Sequence, residues 1–237
     1  MTSWPFLFVD VKGIYCKYCI IKKPRVVVVG AYNADLLVTC ETPLVAGRSL
    51  LGGPMQIFGG GRGANCAVAA ARVECVVTFV GAHGRDGFGG MAKGQLENES
   101  INLDYFFELP NVKTGTSLSL VEAITGKHFL VCAESANDRI TPKMIRSARE
   151  LIVSADLVIS ELEIPSDAVW EAMKLCEQHA IPFALDVSPL NRFDHLPANK
   201  VLLVACESIE QAMVITRAST VSDAIGELHR SGCENVI

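Results

Sequence analysis

The residues best suited to chemistry sit in one stretch, Phe58-Gly59-Gly60-Gly61-Arg62-Gly63-Ala64-Asn65, where four of five consecutive positions are glycine. It runs into Cys66-Ala67-Val68-Ala69-Ala70-Ala71-Arg72, an alanine-rich helix former. Glycine lacks Cβ, so this backbone can take positive φ and lie close against a ligand. A glycine loop that opens a helix leaves N–H groups pointing outward, and that end favours hydroxyls, carboxylates or phosphates. A tight strand-to-helix connection without a ligand is the alternative. Two phosphate-binding motifs are excluded. A P-loop needs Lys-Ser or Lys-Thr after its last glycine, and a dinucleotide fingerprint needs G-x-G-x-x-G, whereas Gly61-Arg62-Gly63-Ala64-Asn65-Cys66 ends in cysteine.

Polar residues also follow the ends of apolar runs. Arg25-Val26-Val27-Val28-Val29-Gly30 is β-branched and does not alternate, the mark of a strand buried on both faces of a parallel sheet. Ligands of open α/β sheets bind beyond the carboxyl ends of the strands. Asn33 and Asp35 follow such an end and are placed to reach bound hydroxyls. An Asx turn is the competing reading; composition alone favours the turn, and the glycine loop downstream favours contact.

The elements that must position these groups follow a regular order. A helix over Ala64–Glu74, apolar nearly all round and so expected to be buried, returns to a strand at Val76–Gly81. Asp86 is placed to cap a helix over Phe88–Asn98. Thr39 to Ile57 is rich in Gly and Pro. Thr116-Ser117-Leu118-Ser119-Leu120-Val121 and His128-Phe129-Leu130-Val131-Cys132 flank a turn at Thr125-Gly126-Lys127, predicting an antiparallel hairpin with one solvated face. From Thr141-Pro142, an N-cap followed by proline, Ile145, Ala148, Leu151 and Ile152 form a helical stripe. Strands at Ala155–Ser160, Ile181–Leu185 and Lys200–Ala205 alternate with a helix over Ser166–His179 and a second helix capped by Ser222 and closed by Gly232. A last strand opens at Glu234.

The chain has 237 residues, half of them hydrophobic, with a net charge of −5. That is ample for an α/β domain, and without a basic cluster nucleic-acid binding has no electrostatic support. No run reaches the roughly 18 apolar residues of a membrane helix. Nine cysteines, an odd number in mostly apolar surroundings, read as free thiols in a reducing, cytoplasmic setting. Cys16-Lys17-Tyr18-Cys19 lacks the second pair a metal site needs, and the five histidines show no ligand spacing. Residues 1–24 lack the basic start and cleavage site of a signal peptide and read as an unassigned extension.

Gly60-Gly61-Arg62-Gly63-Ala64-Asn65 resembles the Gly-Gly-Lys-Gly-Ala-Asn signature of the ribokinase-like (PfkB) carbohydrate kinases, with Arg in the Lys position. Val80-Gly81-Ala82-His83-Gly84-Arg85-Asp86-Gly87-Phe88-Gly89 is similar to the family's V-G-x-x-G-x-D-x-F-G, at the family's spacing. The resemblance implies a three-layer α/β fold, with a mainly parallel central sheet between helices and a small β-sheet lid. It implies one domain over 25–237, with lid segments at about 36–57 and 111–135. It implies an ATP- and Mg²⁺-dependent transfer of phosphoryl to the primary hydroxyl of a small sugar, ribose more than a nucleoside or a fructose phosphate. Asn33, Asp35, Gly61, Arg62 and Asn65 would then orient the sugar, with Glu163 of Leu162-Glu163-Ile164-Pro165; Glu161 is the competing choice. Asp186, where the family pattern has Asn, and Glu207 would serve the nucleotide side. Dimerisation through the lid is a further implication.

Two departures bear on activity. The family's Asn-x-x-Glu is replaced by Cys206-Glu207-Ser208-Ile209, and a thiol is a poor Mg²⁺ ligand. The family's Gly-Ala-Gly-Asp motif, whose Asp is the catalytic base, would lie beyond Ile237, so the expectation is a domain truncated at its C-terminus, with no catalytic residue inside it. A non-catalytic sugar-binding or regulatory module is the second reading.

Overall fold

The computed structural model describes residues 22–237 except 44, 46, 134 and 189–200. The extension at 1–21, the Cys16–Cys19 pair, Pro189 and His195 lie outside the described residues.

Seven strands form one parallel sheet in the order β11-β10-β9-β8-β1-β4-β5. They are β1 (Arg25–Val29), β4 (Val76–Gly84), β5 (Asn102–Leu109), β8 (Leu157–Glu161), β9 (Phe183–Asp186), β10 (Val201–Ala205) and β11 (Cys233–Val236). The valines of β1 alternate between two cores, as the period of two in a strand requires. Val27 and Val29 join the cluster with Ile145, Ile152, Met173 and Leu228. Val26 and Val28 join the opposite one, with Phe79, Leu96 and Phe106. Helices α1 (Arg62–Arg72) and α2 (Gly87–Asn98) cover the second face. Helices α3 (Pro142–Ser147), α4 (Arg149–Val153), α5 (Ser166–Gln178) and α7 (Val221–Arg230) cover the first, and α6 (Ile209–Thr216) packs on α7. The three-layer α/β expectation holds.

The lid is a second sheet, in the order β3-β2-β6-β7, made from β2 (Asn33–Cys40), β3 (Gln56–Gly60), β6 (Gly115–Glu122) and β7 (His128–Cys132). β2 pairs antiparallel with β3 and parallel with β6, while β6 and β7 form the expected hairpin.

Several local expectations need correction. The glycine run is not a loop throughout: Gly59 and Gly60 pair with Ala34 and Asn33 of β2 and close strand β3, while Gln95 and Asp35 side chains fill the space their Cβ atoms would take. α1 is buried only along Gly63, Ala64 and Ala67, since short alanines leave its outer face to solvent. The helix expected from Thr141 breaks at Ala148, where the Ser147 hydroxyl takes the Met144 carbonyl at 2.6 Å and competes with the helical ladder. Thr220, not Ser222, caps α7 by accepting the Asp223 N–H. Strand β5 and helix α6 fall where the pattern announces neither.

Asp86 caps α2 as expected, accepting the Gly89 N–H at 3.0 Å, and it also accepts the Thr114 N–H and hydroxyl at 3.0 and 2.6 Å. It thus ties the start of α2 to the entrance of β6. Asp86→Ala is expected to cost about 2 to 3 kcal/mol in a urea unfolding titration; a loss under about 0.5 kcal/mol would show that the three bonds are replaced by water.

Candidate functional site

Four neighbouring strands of the central sheet end at one edge. Gly30 follows β1, Glu161 closes β8, Asp186 closes β9 and Ala205 closes β10. The start of α1 meets this edge, and β2 rises from it into the lid. Asn33 and Asp35 therefore lie on one face of a lid strand rather than in a loop.

Gly61 makes the junction between lid and helix. Its φ is +88°, and a Cβ there would meet the Ala31 carbonyl at 2.7 Å and the Asn33 nitrogen at 2.8 Å. Only glycine allows the chain to leave β3 and enter α1 so close to β1. The turn aims the first free N–H of α1, that of Arg62, at Glu163 Oε2, 3.0 Å away. Asn33 Nδ2 donates to the same oxygen at 3.4 Å. Asn137, in a 3-10 turn over Ala136–Arg139, donates to Asn33 Oδ1 at 2.9 Å and to the Tyr32 carbonyl at 3.0 Å. Ser117 on β6 donates to Asp35 Oδ1 at 2.6 Å.

The guanidinium of Arg62 spans the rest of the edge. It lies 3.6 Å from Glu163, 3.1 Å from Asp186 and 3.2 Å from Glu207. Burial works against its charge, but Asp186, Glu207 and Glu163 outweigh that and raise its pKa. Burial raises the Glu163 carboxyl, an effect that the Arg62 N–H and charge oppose. Glu161 is fully buried; desolvation, then the neighbouring Glu163, push it up to about 8.

The candidates thus separate. Asn33, Asp35, Gly61, Arg62 and Glu163 converge, and Asp186 and Glu207 join them through Arg62. Asn65 is exposed on α1 and lines a neighbouring cleft of about 400 Å³ with Tyr32, Gly59 and Gln95. Asn137 and Ser117 went unrecognised in the sequence. Asn137 was legible in part, because Ser135 and Asp138 around it form a capping box; Ser117 is one polar residue of an alternating strand.

Magnesium does not fit these residues as they stand. Asp186 and Glu207 are both engaged by Arg62, the half-buried Cys206 is a soft donor beside Asp186, and no group of three potential ligands exists among the described residues. Arg62→Met leaves Glu163, Asp186 and Glu207 facing one another without their cation. It is expected to cost about 1 to 3 kcal/mol at pH 7, shrinking as falling pH protonates Glu163, whose carboxyl burial raises. Urea titrations at pH 5 and 7 read this, and a deficit independent of pH would contradict it.

Comparison with known proteins agrees with this architecture. The sequence pattern of the pfkB family carbohydrate kinases matches residues 23–237. Ribokinase of Bacillus subtilis (strain 168) is 36% identical over 166 residues, covering 70% of this chain and 56% of that protein. Ribokinase of Schizosaccharomyces pombe is 27% identical over 202 residues, covering 83% and 63%. The chain thus spans somewhat more than half the length of these relatives. The solved structure of Arabidopsis thaliana ribokinase complexed with ribose and ATP superposes with a TM-score of 0.79 at 25% identity, covering 91% of this chain and 71% of that one. A sequence match over nearly the whole described chain, and a shared parallel sheet with its lid, lead to one conclusion: the chain belongs to the pfkB family of carbohydrate kinases.

Proposed function

We propose that the protein is an ATP-dependent kinase acting on the primary hydroxyl of a small neutral sugar, ribose first. The observation that carries this is the meeting of Asn33, Asp35 and Glu163 with the N-terminal N–H of α1 beneath the lid. Carboxylates accept hydroxyl protons, and Asn33 can donate and accept, so the set suits a polyol. Phosphorylated sugars are disfavoured. Asp35, Glu163, Asp186 and Glu207 crowd one edge, and Arg62, the cation among them, is already paired with three carboxylates. The relatives support ribose: all three are ribokinases, and one was solved with ribose and ATP.

In this reading Asn33, Asp35, Glu163 and the Gly61–Arg62 backbone bind the sugar and fix its orientation. The lid excludes water, which strengthens each polar contact inside. Asn65 would contribute from the flank of α1. ATP supplies the phosphoryl group when bound, and Asp186 and Glu207 face the nucleotide side, held in place by Arg62. Phosphoryl transfer rests mostly on positioning, which is what these residues provide. Two pairs of apolar lid residues, Leu118 with Val131 and Leu120 with Phe129, are exposed and cross-strand neighbours; a second copy of the chain would cover them, and light scattering after size exclusion reads the mass. The reducing cytoplasm suits the seven free described cysteines.

Coupled ADP release by the complete protein with a panel of sugars tests the proposal, and ribose should raise turnover above the ATP-only rate. No sugar raising it would refute kinase activity. A second reading, a sugar-binding module without transfer, is favoured by Arg62 engaging both Asp186 and Glu207; it requires calorimetric binding of ribose without binding of ATP.

A further inference from the structure

The fully buried Glu161 is not needed to touch a sugar. It ends β8 and sends its carboxylate sideways under the site. Oε1 accepts the Ala31 N–H at 2.6 Å, in the turn between β1 and β2, and Oε2 accepts the N–H of Glu163. The Ala31 carbonyl in turn accepts the Ala64 N–H of α1 at 3.0 Å. One carboxylate therefore joins two segments 130 residues apart in sequence. The first leads to Asn33 and Asp35, and the second carries Glu163. Gly30 leaves room for the clamp, because a Cβ there would collide with Glu161 Oε1.

We infer that Glu161 is a positioning residue for the sugar site, a two-amide clamp that fixes Asn33 and Glu163 relative to each other. This rests on the sugar-site reading above. Burying a carboxylate here is costly for stability, and no cation among the described residues touches it. The ionisable groups facing it are Glu163 on the following loop, Asp186 on β9 and Cys66 on α1; β1 presents only backbone. Raised to about 8, Glu161 is more protonated in the folded than in the unfolded chain, so its contribution to stability falls as pH rises from about 4.5 through 8. The ionised form accepts both amides, whereas the protonated form keeps one oxygen as a donor. Clamp and stability thus respond to pH in opposite directions, which a purely structural carboxylate would not show.

The experiment compares the wild-type chain with Glu161→Gln and Glu161→Ala. It reads three quantities: amide exchange at Ala31 and Glu163, ribose affinity by calorimetry, and urea stability, each from pH 6 to 9. Gln offers one acceptor where two N–H groups converge, and Ala offers none. At pH 9, where Glu161 is ionised, exchange at one or both amides should rise at least about tenfold, and the ribose Kd should rise about tenfold in Glu161→Gln, the loss of one hydrogen bond to a charged acceptor. Wild-type affinity should strengthen as pH rises through 8, Glu161→Gln should lose this dependence, and its stability should match or exceed the wild type at pH 9. Burial, then Asp186 and Glu161, raise the Cys66 thiol above its ordinary range. Unchanged exchange at both amides at pH 9, or ribose affinity at pH 9 within twofold of wild type in both variants, overturns the clamp. So does a pH dependence of affinity that persists in Glu161→Gln. A wild-type chain that binds no pentose overturns the sugar reading instead, and the exchange rates, which need no ligand, then decide the clamp separately.

Discussion

Gly61→Ala should lose about 3 to 5 kcal/mol of stability, the sum of a strained left-handed backbone and an overpacked contact. The reason is local and steric. With φ at +88°, a methyl group at residue 61 would meet the Ala31 carbonyl, the Asn33 nitrogen and the Tyr32 Cα between 2.7 and 2.9 Å. All three atoms are backbone, and all belong to the turn that carries Asn33. Relief requires moving either that turn or the start of α1, and each holds part of the site. Gly90→Ala is the matched control: it lies within α2, a Cβ there meets nothing within 4 Å, and a gain of about 0.5 to 1 kcal/mol is expected. Urea titrations of the two variants should move in opposite directions. Gly61→Ala as stable as wild type would mean that the junction of β3 and α1 yields freely.

Glu163→Gln should weaken ribose binding about 100-fold, or about 3 kcal/mol, the worth of a charged acceptor shared by sugar hydroxyls in a water-poor site. The variant keeps the shape of the side chain and one acceptor for the Arg62 N–H. It loses the charge that meets the Arg62 guanidinium 3.6 Å away. Glu163 is largely covered, its side chain 19% exposed, so water cannot replace the lost acceptor. Binding by Glu163→Gln within threefold of wild type would remove this carboxylate from the sugar site.

The large features were legible because they are repetitive. The β-branched runs at Arg25 to Val29 and Lys200 to Ala205 announce buried parallel strands, and the Gly-rich start of α1 announces the site. Less was legible where tertiary contacts decide. Gly59 and Gly60 read as loop, yet pairing with β2 makes them strand. On β5, Tyr105, Phe107 and Leu109 face one core while Phe106, between the polar Asp104 and Glu108, joins the other, so period two is hidden. The roles of Glu161 and Glu163 could not be divided from sequence, because residues two apart at a strand end look alike. The structure separates them by burial: Glu161 turns inward to backbone amides, and Glu163 turns toward Asn33 and Arg62. The capping box marks the turn that holds Asn137, but its partners, Tyr32 and Asn33, lie more than 100 residues away and leave no local signal of its role.

The central claim, that the edge beneath the lid is a site for a neutral pentose, is tested most directly by titrating D-ribose into this 237-residue chain in a calorimeter, with D-ribose 5-phosphate in parallel. The account predicts saturable binding of ribose at one site per chain, and weaker binding of the phosphate ester, because the carboxylates at this edge repel it. Absence of heat with ribose, or tighter binding of the phosphate, would contradict it.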